Sequence, residues 1–300
     1  MKRVSIIVPT YKRNRYITRA IDSILAQDYP EMEIIVIDDN GEGSVDQLST
    51  EKILKKYIDN DDIKYIKNTK NVGGAISRNN GILASTGYYI TFLDDDDEYL
   101  PGKITIQVQA MEKNGWDLCV MDGETYNNKG ERLSQKTQPI ENGMTQDEIL
   151  KAHLTKHITG TNVFMFTREA VFKIGMFDHI SAGQEFMIMQ KSITNNLKIG
   201  VIHDVYVHFH MDGQERISTR LSKIEGLELV YQEKKKYFNL LTTDEKAYIN
   251  SKHHGTLFYM YYTNGKFGRA MLELVKAFFC SPKYTWETYQ ERKGKLKYKN

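Results

Sequence analysis

Short apolar runs and segments with helical periodicity alternate along the first 120 residues. Residues 4–8 form a run of mostly β-branched side chains that Pro9 closes. Apolar residues then recur at the spacing of one helix face, at Ile17, Ala20, Ile21, Ile24 and Leu25. The alternation continues, and it predicts strands at 33–37, 63–66, 88–93 and 118–121. It predicts helices at 46–58 and 74–84, and a third that Pro101 opens at its favoured first position.

This order of elements predicts right-handed βαβ units, and therefore an α/β fold with a mostly parallel sheet and helices on both faces. In such Rossmann-like sheets, ligands bind beyond the carboxyl ends of the strands. Polar residues cluster at three of those ends, at 9–13, 38–40 and 94–97. We therefore expect the functional site at this edge of the sheet.

The rest of the chain is less regular until about residue 220. Residues 123–142 are polar and are expected to form a loop, with strands at 163–166 and 205–209 and a helix at 185–193. Beyond residue 220 the pattern is helical and rich in lysine, tyrosine and phenylalanine. We expect a domain at 1–220 that carries the chemistry and a helical C-terminal region at 221–300.

The composition narrows the class of protein. Lysine and arginine total 41 against 39 acidic residues, a net charge of +2 that argues against a dedicated nucleic-acid-binding protein. Two cysteines, Cys119 and Cys280, are too few for a disulfide framework and favour a reducing compartment such as the cytoplasm. We expect no targeting segment and no membrane span, since no window reaches the ~18 consecutive apolar residues that a span needs.

The end of the chain is more basic than the rest. Residues 281–300 hold six Lys or Arg and two Glu. Lysines mostly serve solubility, but this number also suits weak, salt-sensitive docking on an anionic membrane, at ~1 kcal/mol for each basic residue. Both interpretations stay open, and the second would place the protein at the inner face of the plasma membrane.

Four consecutive carboxylates, Asp94 to Asp97, follow the apolar run at 88–93. Acidic runs are usually solvated loops. Here the run abuts a buried strand, where four like charges repel one another unless a cation lies among them. Oxygen ligands suit Mg²⁺ or Mn²⁺, which complete their shells with water and substrate phosphates. The run therefore predicts a metal–phosphate site.

The first two polar clusters lack the usual phosphate-binding loops. Pro9 and the residues after it stand where a dinucleotide-binding protein has a glycine-rich turn, and no Walker lysine loop is present. Asp38 and Asp39 suit a turn, and Asp39 also suits a hydrogen bond to a pyrimidine imide or a ribose hydroxyl. The pattern favours a nucleotide diphosphate that is held by a metal and arginines.

Five stretches in register resemble family 2 glycosyltransferases, which have a GT-A fold. They are VSIIVPTYKR, SILAQDYP, IIVIDDN, NVGGAISRNNG and FLDDDDEYLP, and they cover nearly all of residues 1–105. The likeness extends more loosely to about residue 220. The resemblance implies an inverting enzyme that moves a hexosyl or N-acetylhexosaminyl group from a UDP-sugar to an acceptor hydroxyl, with Mn²⁺ or Mg²⁺ at a DxD motif.

The resemblance assigns roles to residues of the nucleotide-sugar pocket. It implies that Asp39 reads the uracil, with Asn71 and Arg78 contacting the base or diphosphate. The pocket lining after the first strand is expected at Pro9, Thr10, Tyr11 and Arg13.

The resemblance also places the metal within the acidic run. Asp94 and Asp96 would be the two acids of the DxD motif, with Asp96 the direct ligand. Asp94 or Asp95 would approach the ribose or the water shell.

Further along the chain, the family's catalytic base matches Glu185, which follows Gln184 at a helix start. A carboxylate at a helix N-terminus is also common for electrostatic reasons alone. Strand alternation points His208 and His210 to one face, where either would complete the metal shell or contact phosphate. Structural histidines are the alternative. Arg216 is expected to stabilise the departing diphosphate.

Two other functions stay open from the sequence. A non-catalytic glycosyltransferase-like module is favoured by glutamate standing where the family usually has aspartate as its base. A nucleotidyltransferase would also need a carboxylate-bound metal, but its glycine-rich loop is missing. For the transferase, the expected acceptor is a growing surface polysaccharide or glycoprotein glycan, free or lipid-linked. The helical C-terminal region would contact that acceptor, a second copy of the chain or a membrane surface.

Overall fold

A computed structural model of the protein describes residues 1–158, 160–211 and 221–297, with side chains as far as Gln290. The strands are β1 Val4–Thr10, β2 Met32–Asp38, β3 Lys64–Lys67, β4 Tyr89–Phe92, β5 Glu98–Tyr99, β6 Leu118–Asn127, β7 Arg132–Lys136, β8 Met165–Thr167 and β9 Ile199–Met211. The helices of the first 200 residues are α1 Ile17–Leu25, α2 Val45–Asp59, α3 Gly74–Ala84, α4 Lys103–Asn114, α5 Gln146–Lys156, α6 Arg168–Lys173 and α7 Gln184–Thr194. The later helices are α8 Ile224–Lys235, α9 Thr243–Thr263, α10 Phe267–Cys280 and α11 Pro282–Lys297. Short 3-10 turns occur at Thr161–Val163, Leu221–Lys223 and Phe238–Leu240.

Within the described residues the strands form one nine-stranded sheet in the order β3-β2-β1-β4-β8-β6-β9-β5, with β7 paired to β6. The half that contains β3, β2, β1 and β4 is parallel, as the sequence predicts. The other half is mixed, because β8 runs antiparallel to both β4 and β6 while β9 runs parallel to β6. The structure therefore has the α/β class expected from the sequence.

The first strand is longer than predicted. It continues through Pro9, which pairs with Ile37, and ends at Thr10 beside Asp38. Proline is tolerated here because it stands near the end of the strand, where a missing N–H disrupts few ladder bonds. The extension carries the Thr10 side chain to the edge where β2 and β4 also end.

The centre of the sheet is buried on both faces, which explains the continuous apolar run of β1. Val4, Ile6, Ile7 and Val8 have no exposed surface. Helix α3 packs so closely on this strand that a Cβ at Gly81 would lie 2.4 Å from Ile7 Cγ2. A glycine is therefore required for α3 to approach β1 at this distance.

The prediction of a loop at 123–142 is wrong for part of this segment. Strand β6 runs on to Asn127, and β7 returns beside it as an antiparallel hairpin. The strands were missed because most side chains here are half-buried or exposed, so no apolar run marks them.

Pro101 also lies outside the helix that it was expected to open. Helix α4 begins at Lys103, after Gly102 takes a positive φ of 85°. The short strand β5 precedes it and pairs with β9.

The described residues form two compact units. The first contains Met1–Gln146, most of Ile158–His179, and 184–211. The second contains Asp147–His157, Ile180–Gly183 and 221–297, so that α5 joins the C-terminal helices. Among the described helices, none combines the length and apolar character needed to cross a bilayer.

Candidate active site

The four carboxylates Asp94 to Asp97 lie where β4 ends, beside the end of β1. Asp95 and Asp97 are buried. Thr10 Oγ1 donates a hydrogen bond of 2.6 Å to Asp95 Oδ2. Burial and the charge of Asp96 raise the pKa of Asp95 to about 8, although the Thr10 hydrogen bond and the Arg13 charge act in the opposite direction.

Three arginines from separate helices and loops converge on this acidic run. Arg13 forms an ion pair with Asp96, and Arg19 donates to the backbone oxygen of Asp96. Arg78 of α3 is buried, and its Nη2 lies 2.5 Å from Asp94 Oδ1. The fold therefore brings together Thr10, Arg13, Arg78 and the acidic run, which the sequence separates by up to 87 positions.

The acidic run has the donor chemistry of a divalent-cation site, because all its side chains are carboxylates. Burial is the main cause that raises the pKa values of Asp95, Asp96 and Asp97. Keeping these carboxylates ionised therefore costs free energy. A cation among these oxygens would relieve that cost, and oxygen donors suit Mg²⁺ or Mn²⁺. Within the described residues, however, no three His, Cys, Asp or Glu side chains are arranged to hold a metal, and the acidic run is no exception. A metal at Asp94 and Asp96 therefore stays a prediction.

Asp39 organises the loop between β3 and α3. Its Oδ1 accepts from Asn68 Nδ2 and the Val72 N–H, both at 2.8 Å. Its Oδ2 accepts at 2.8 Å from Asn71 Nδ2 and from the N–H of Gly73, whose φ is +88°. A carboxylate has about four acceptor positions. Reading a uracil with Asp39 stays a prediction, and it requires a base to share or displace one of these donors.

The other pocket residues lie close by along the chain. Pro9 is the second-last residue of β1, and Tyr11 follows the strand with its ring centroid 5.3 Å from Lys12 Nζ. Asn71 also donates to the backbone oxygen of Asp39 at 3.2 Å.

Glu185 lies in the first turn of α7, next to Gln184, as the sequence predicts. Gln184 Oε1 accepts a hydrogen bond of 3.3 Å from Arg78 Nη1, while Arg78 Nη2 engages Asp94. One guanidinium thus joins the acidic run to the helix that presents Glu185. Burial lowers the pKa of Lys136, on β7, to about 8, and the nearby charge of Glu185 acts in the opposite direction.

Two of the three histidines of β9, His208 and His210, face the same carboxylate. His208 Nδ1 lies 3.1 Å from Glu98 Oε1, and His210 Nε2 lies 3.2 Å from the same oxygen. The backbone N–H of His210 donates to Asp97 Oδ1 at 2.7 Å. The imidazole of His210 therefore engages Glu98 here, and its role as a metal ligand stays a prediction. Arg216 lies outside the described residues.

Sequence reasoning missed three residues of this region: Asn162, Glu98 and Lys136. Asn162 is fully buried in the 3-10 turn before β8. Its Nδ2 donates to Asp97 Oδ2 at 2.5 Å, and its Oδ1 accepts from the Asp94 N–H at 3.0 Å. No periodicity marks a lone asparagine in a turn, so its role emerges only from the packing of β8 beside β4.

Comparison with known sequences identifies the family. Residues 5–175 match the family described as glycosyl transferase family 2, which is more than half of the chain. The protein belongs to this family.

Curated relatives include glycosyltransferases of several bacteria. An uncharacterized glycosyltransferase of Rickettsia felis is 37% identical over 131 residues, 44% of this chain and only 21% of that relative. The GalNAc(5)-diNAcBac-PP-undecaprenol beta-1,3-glucosyltransferase of Campylobacter jejuni is 29% identical over 74% of this chain and 69% of its own length. An Escherichia coli K12 protein, WcaA, named for colanic acid biosynthesis, is 28% identical over 79% of this chain and 82% of its own.

Solved structures share the fold. S. aureus TarS in complex with UDP-GlcNAc superposes with a TM-score of 0.65 at 21% identity, covering 94% of this chain and 82% of that one. A mannosyltransferase of Pyrobaculum calidifontis in complex with GDP-Man and Mn²⁺ gives a TM-score of 0.61 at 18% identity, covering 97% and 84%. At these identities the likeness establishes the architecture alone.

Proposed function

We propose that this protein is an inverting glycosyltransferase that moves a sugar from a UDP-sugar to an acceptor hydroxyl. The observation that carries the proposal is the bridge through Arg78, which contacts Asp94 of the acidic run and Gln184 beside Glu185. It connects the region proposed to bind the donor with the proposed base. Residues 1–220 would contain both.

The donor would bind at the carboxyl edge of the sheet. The β1 end and the Asp39 loop would hold the uridine, while Arg13 and Arg78 would face the diphosphate, as guanidinium groups suit phosphate oxygens. Mn²⁺ or Mg²⁺ would be held by Asp96 and Asp94, with water and the donor diphosphate completing its shell. Bound there, the metal would offset negative charge on the diphosphate.

Glu185 would act as the general base. Its carboxylate would take the proton of the acceptor hydroxyl as that oxygen forms a bond to the anomeric carbon. The bond from this carbon to the diphosphate oxygen breaks in the same displacement, which inverts an α-linked donor to a β-glycoside and releases UDP. Arg13, Arg78 and Arg216 would stabilise the charge that grows on the leaving group.

The acceptor would be a hydroxyl of a growing surface polysaccharide or glycoprotein glycan. Relatives support this class, since one is named for a polyprenyl-diphosphate-linked oligosaccharide and another for colanic acid. Whether the transferred sugar is a hexose or an N-acetylhexosamine follows from the donor that the protein accepts.

The test is slow hydrolysis of a UDP-sugar panel, measured as released UDP with Mn²⁺, with Mg²⁺ and with EDTA. Metal-dependent turnover of one donor is expected and would name the sugar. UDP binding without turnover, even with acceptor glycans, would instead support a non-catalytic module. Pyrophosphate release from a nucleoside triphosphate would indicate a nucleotidyltransferase, and failure to bind UDP would contradict the proposal.

A further inference from the structure

Helix α10 of the second unit has its large apolar side chains on the outside. Its buried residues are Ala270, Glu273 and Ala277. Its exposed large apolar residues are Phe267, Met271, Leu272, Val275, Phe278 and Phe279. The most exposed of them, Phe279, leaves 83% of its surface open. An amphipathic helix normally buries its apolar stripe, so this orientation requires an explanation.

The exposed residues form one continuous surface. At 3.6 residues per turn, the six side chains fall within an arc of about 140° on α10. Arg269 and Lys276 lie along one border of that arc, and both are exposed. We call these six apolar residues with their two bordering cations the α10 face.

The neighbouring helix continues the same chemistry. Trp286 and Tyr289 of α11 are exposed, and their rings stack with centroids 5.6 Å apart. Lys266 before α10 and Lys283 in α11 are exposed cations of the same helical segment. Amphipathic aromatic rings beside lysine and arginine are typical of groups placed at a membrane–water interface.

The charge distribution selects the partner. Residues 266–300 contain nine Lys or Arg and three Glu, a net charge of +6, whereas the rest of the chain sums to −4. Two copies that met through this segment would bring like charges together, whereas an anionic lipid surface would attract it. A helix with this combination of apolar arc and bordering cations suits a position parallel to the bilayer, with the apolar side chains below the headgroups.

We propose that the α10 face inserts into the surface of an anionic membrane and holds the protein there as a peripheral protein. The net charge of residues 281–300, six Lys or Arg against two Glu, also favours an anionic membrane. This proposal concerns the second unit and does not depend on the donor chemistry of the first.

The experiment measures sedimentation of the full-length protein with vesicles. One set of vesicles contains phosphatidylcholine and phosphatidylglycerol in equal parts, and the other contains phosphatidylcholine alone. We expect binding to the anionic vesicles that weakens at high salt. Leu272→Ser and Phe279→Ser should each lower the partition coefficient roughly tenfold, because each removes an apolar side chain from the lipid phase.

Leu83→Ser is the matched control, because Leu83 of α3 is 60% exposed and Leu272 is 56% exposed. It should bind vesicles like the original protein. All three variants should unfold in urea close to the midpoint of the original protein, which separates membrane binding from folding without relying on the proposed transfer reaction.

Three outcomes would overturn the proposal. The first is the absence of binding to anionic vesicles at low salt. The second is salt-sensitive binding that neither Leu272→Ser nor Phe279→Ser changes, which would assign it to the basic residues alone. The third is a concentration-dependent dimer that Leu272→Ser dissociates, measured by analytical ultracentrifugation without lipid, which would assign the α10 face to a second copy.

Discussion

The side chain of Asn162 binds both ends of the acidic run. Its Nδ2 donates to Asp97 Oδ2 at 2.5 Å, and its Oδ1 accepts from the backbone N–H of Asp94 at 3.0 Å. The run is thereby fixed to the turn before β8. Carboxylates that repel one another hold a defined geometry only if their neighbours constrain them. Asn162 supplies that constraint without adding charge.

Asn162→Ala should therefore damage both the fold and the site. The Asp94 N–H and the buried Asp97 carboxylate would each lose a partner, at a cost of about 1–3 kcal/mol in the free energy of unfolding. Donor binding should weaken by about tenfold or more, since the acidic run would shift. Urea unfolding and titration with UDP and Mn²⁺ measure the two effects. Asn114→Ala, which removes an exposed amide bonded to Ala110, is the control, and an equal loss there would contradict the assignment.

Asp39→Asn is expected to destabilise the loop between β3 and α3. An amide NH₂ would face the donors that now meet the carboxylate, among them the backbone N–H groups of Val72 and Gly73. We expect a loss of about 1–3 kcal/mol in the free energy of unfolding and loss of UDP binding. Asp59→Asn is the control. The Asp59 carboxylate forms an exposed ion pair with Lys55, and its loss should change the free energy of unfolding by less than about 1 kcal/mol. Unchanged UDP affinity in Asp39→Asn would exclude this aspartate from base recognition and from shaping the pocket.

Asp96→Asn tests the proposed metal ligand. It retains the size of the side chain and removes one negative charge from the acidic run. Titration of the protein with UDP should show tighter binding with Mn²⁺ than with EDTA, and the variant should lose that difference. Asp94→Asn is measured in parallel. If Mn²⁺ dependence persists in Asp96→Asn and disappears in Asp94→Asn, the direct ligand is Asp94.

Glu185→Gln separates binding from chemistry. The amide cannot accept the acceptor proton, so transfer should fall by about 100-fold or more while UDP binding stays unchanged. The control is Glu169→Gln, since Glu169 is also an acidic residue in the first turn of a helix, α6. A purely electrostatic role at the helix N-terminus predicts small, equal effects in both variants, and full activity in Glu185→Gln would remove it as the base.

Lys136→Met should change how stability depends on pH. Burial lowers the pKa of Lys136 to about 8, against the opposing effect of the Glu185 charge, whereas an unfolded lysine titrates at 10.5. Between these values the unfolded chain holds a proton that the folded protein has released, so the free energy of unfolding rises with pH, by up to about 3 kcal/mol.

Urea unfolding across this pH range measures the effect. Lys136→Met should be more stable near neutral pH than the original protein and should lack this part of the rise. Burial also lowers the pKa values of Lys103 and Lys234. Both lysines are present in the two proteins, so their contributions to the pH dependence cancel in the comparison. The control is Lys113→Met at an exposed position of α4, and an identical pH profile in Lys136→Met and the original protein would contradict the prediction.

The parallel half of the sheet could be predicted from the sequence because its signals are local. Strands β1, β2 and β4 there contain apolar runs, whereas β3 is Lys-Tyr-Ile-Lys and is marked mainly by its place between two helical segments. The crossovers have helical periodicity, and the handedness of βαβ units leaves few arrangements. The same rule put the acidic run and Asp39 at one edge of the sheet. Glu185 could be placed at a helix start for the same local reason.

Tertiary structure decided what depends on contacts between distant residues. The hairpin that the second half of β6, from Gly123, forms with β7 has no apolar run, so it exists through pairing rather than through a pattern. Asn162 reaches Asp97 only because β8 inserts antiparallel beside β4. The sequence predicts only a helical region beyond residue 220. The packing of α10 shows that Ala270 and Ala277 face inward while Phe278 and Phe279 face out. The reason is physical: periodicity records which side chains share a face, whereas the partner of that face is chosen by the whole fold.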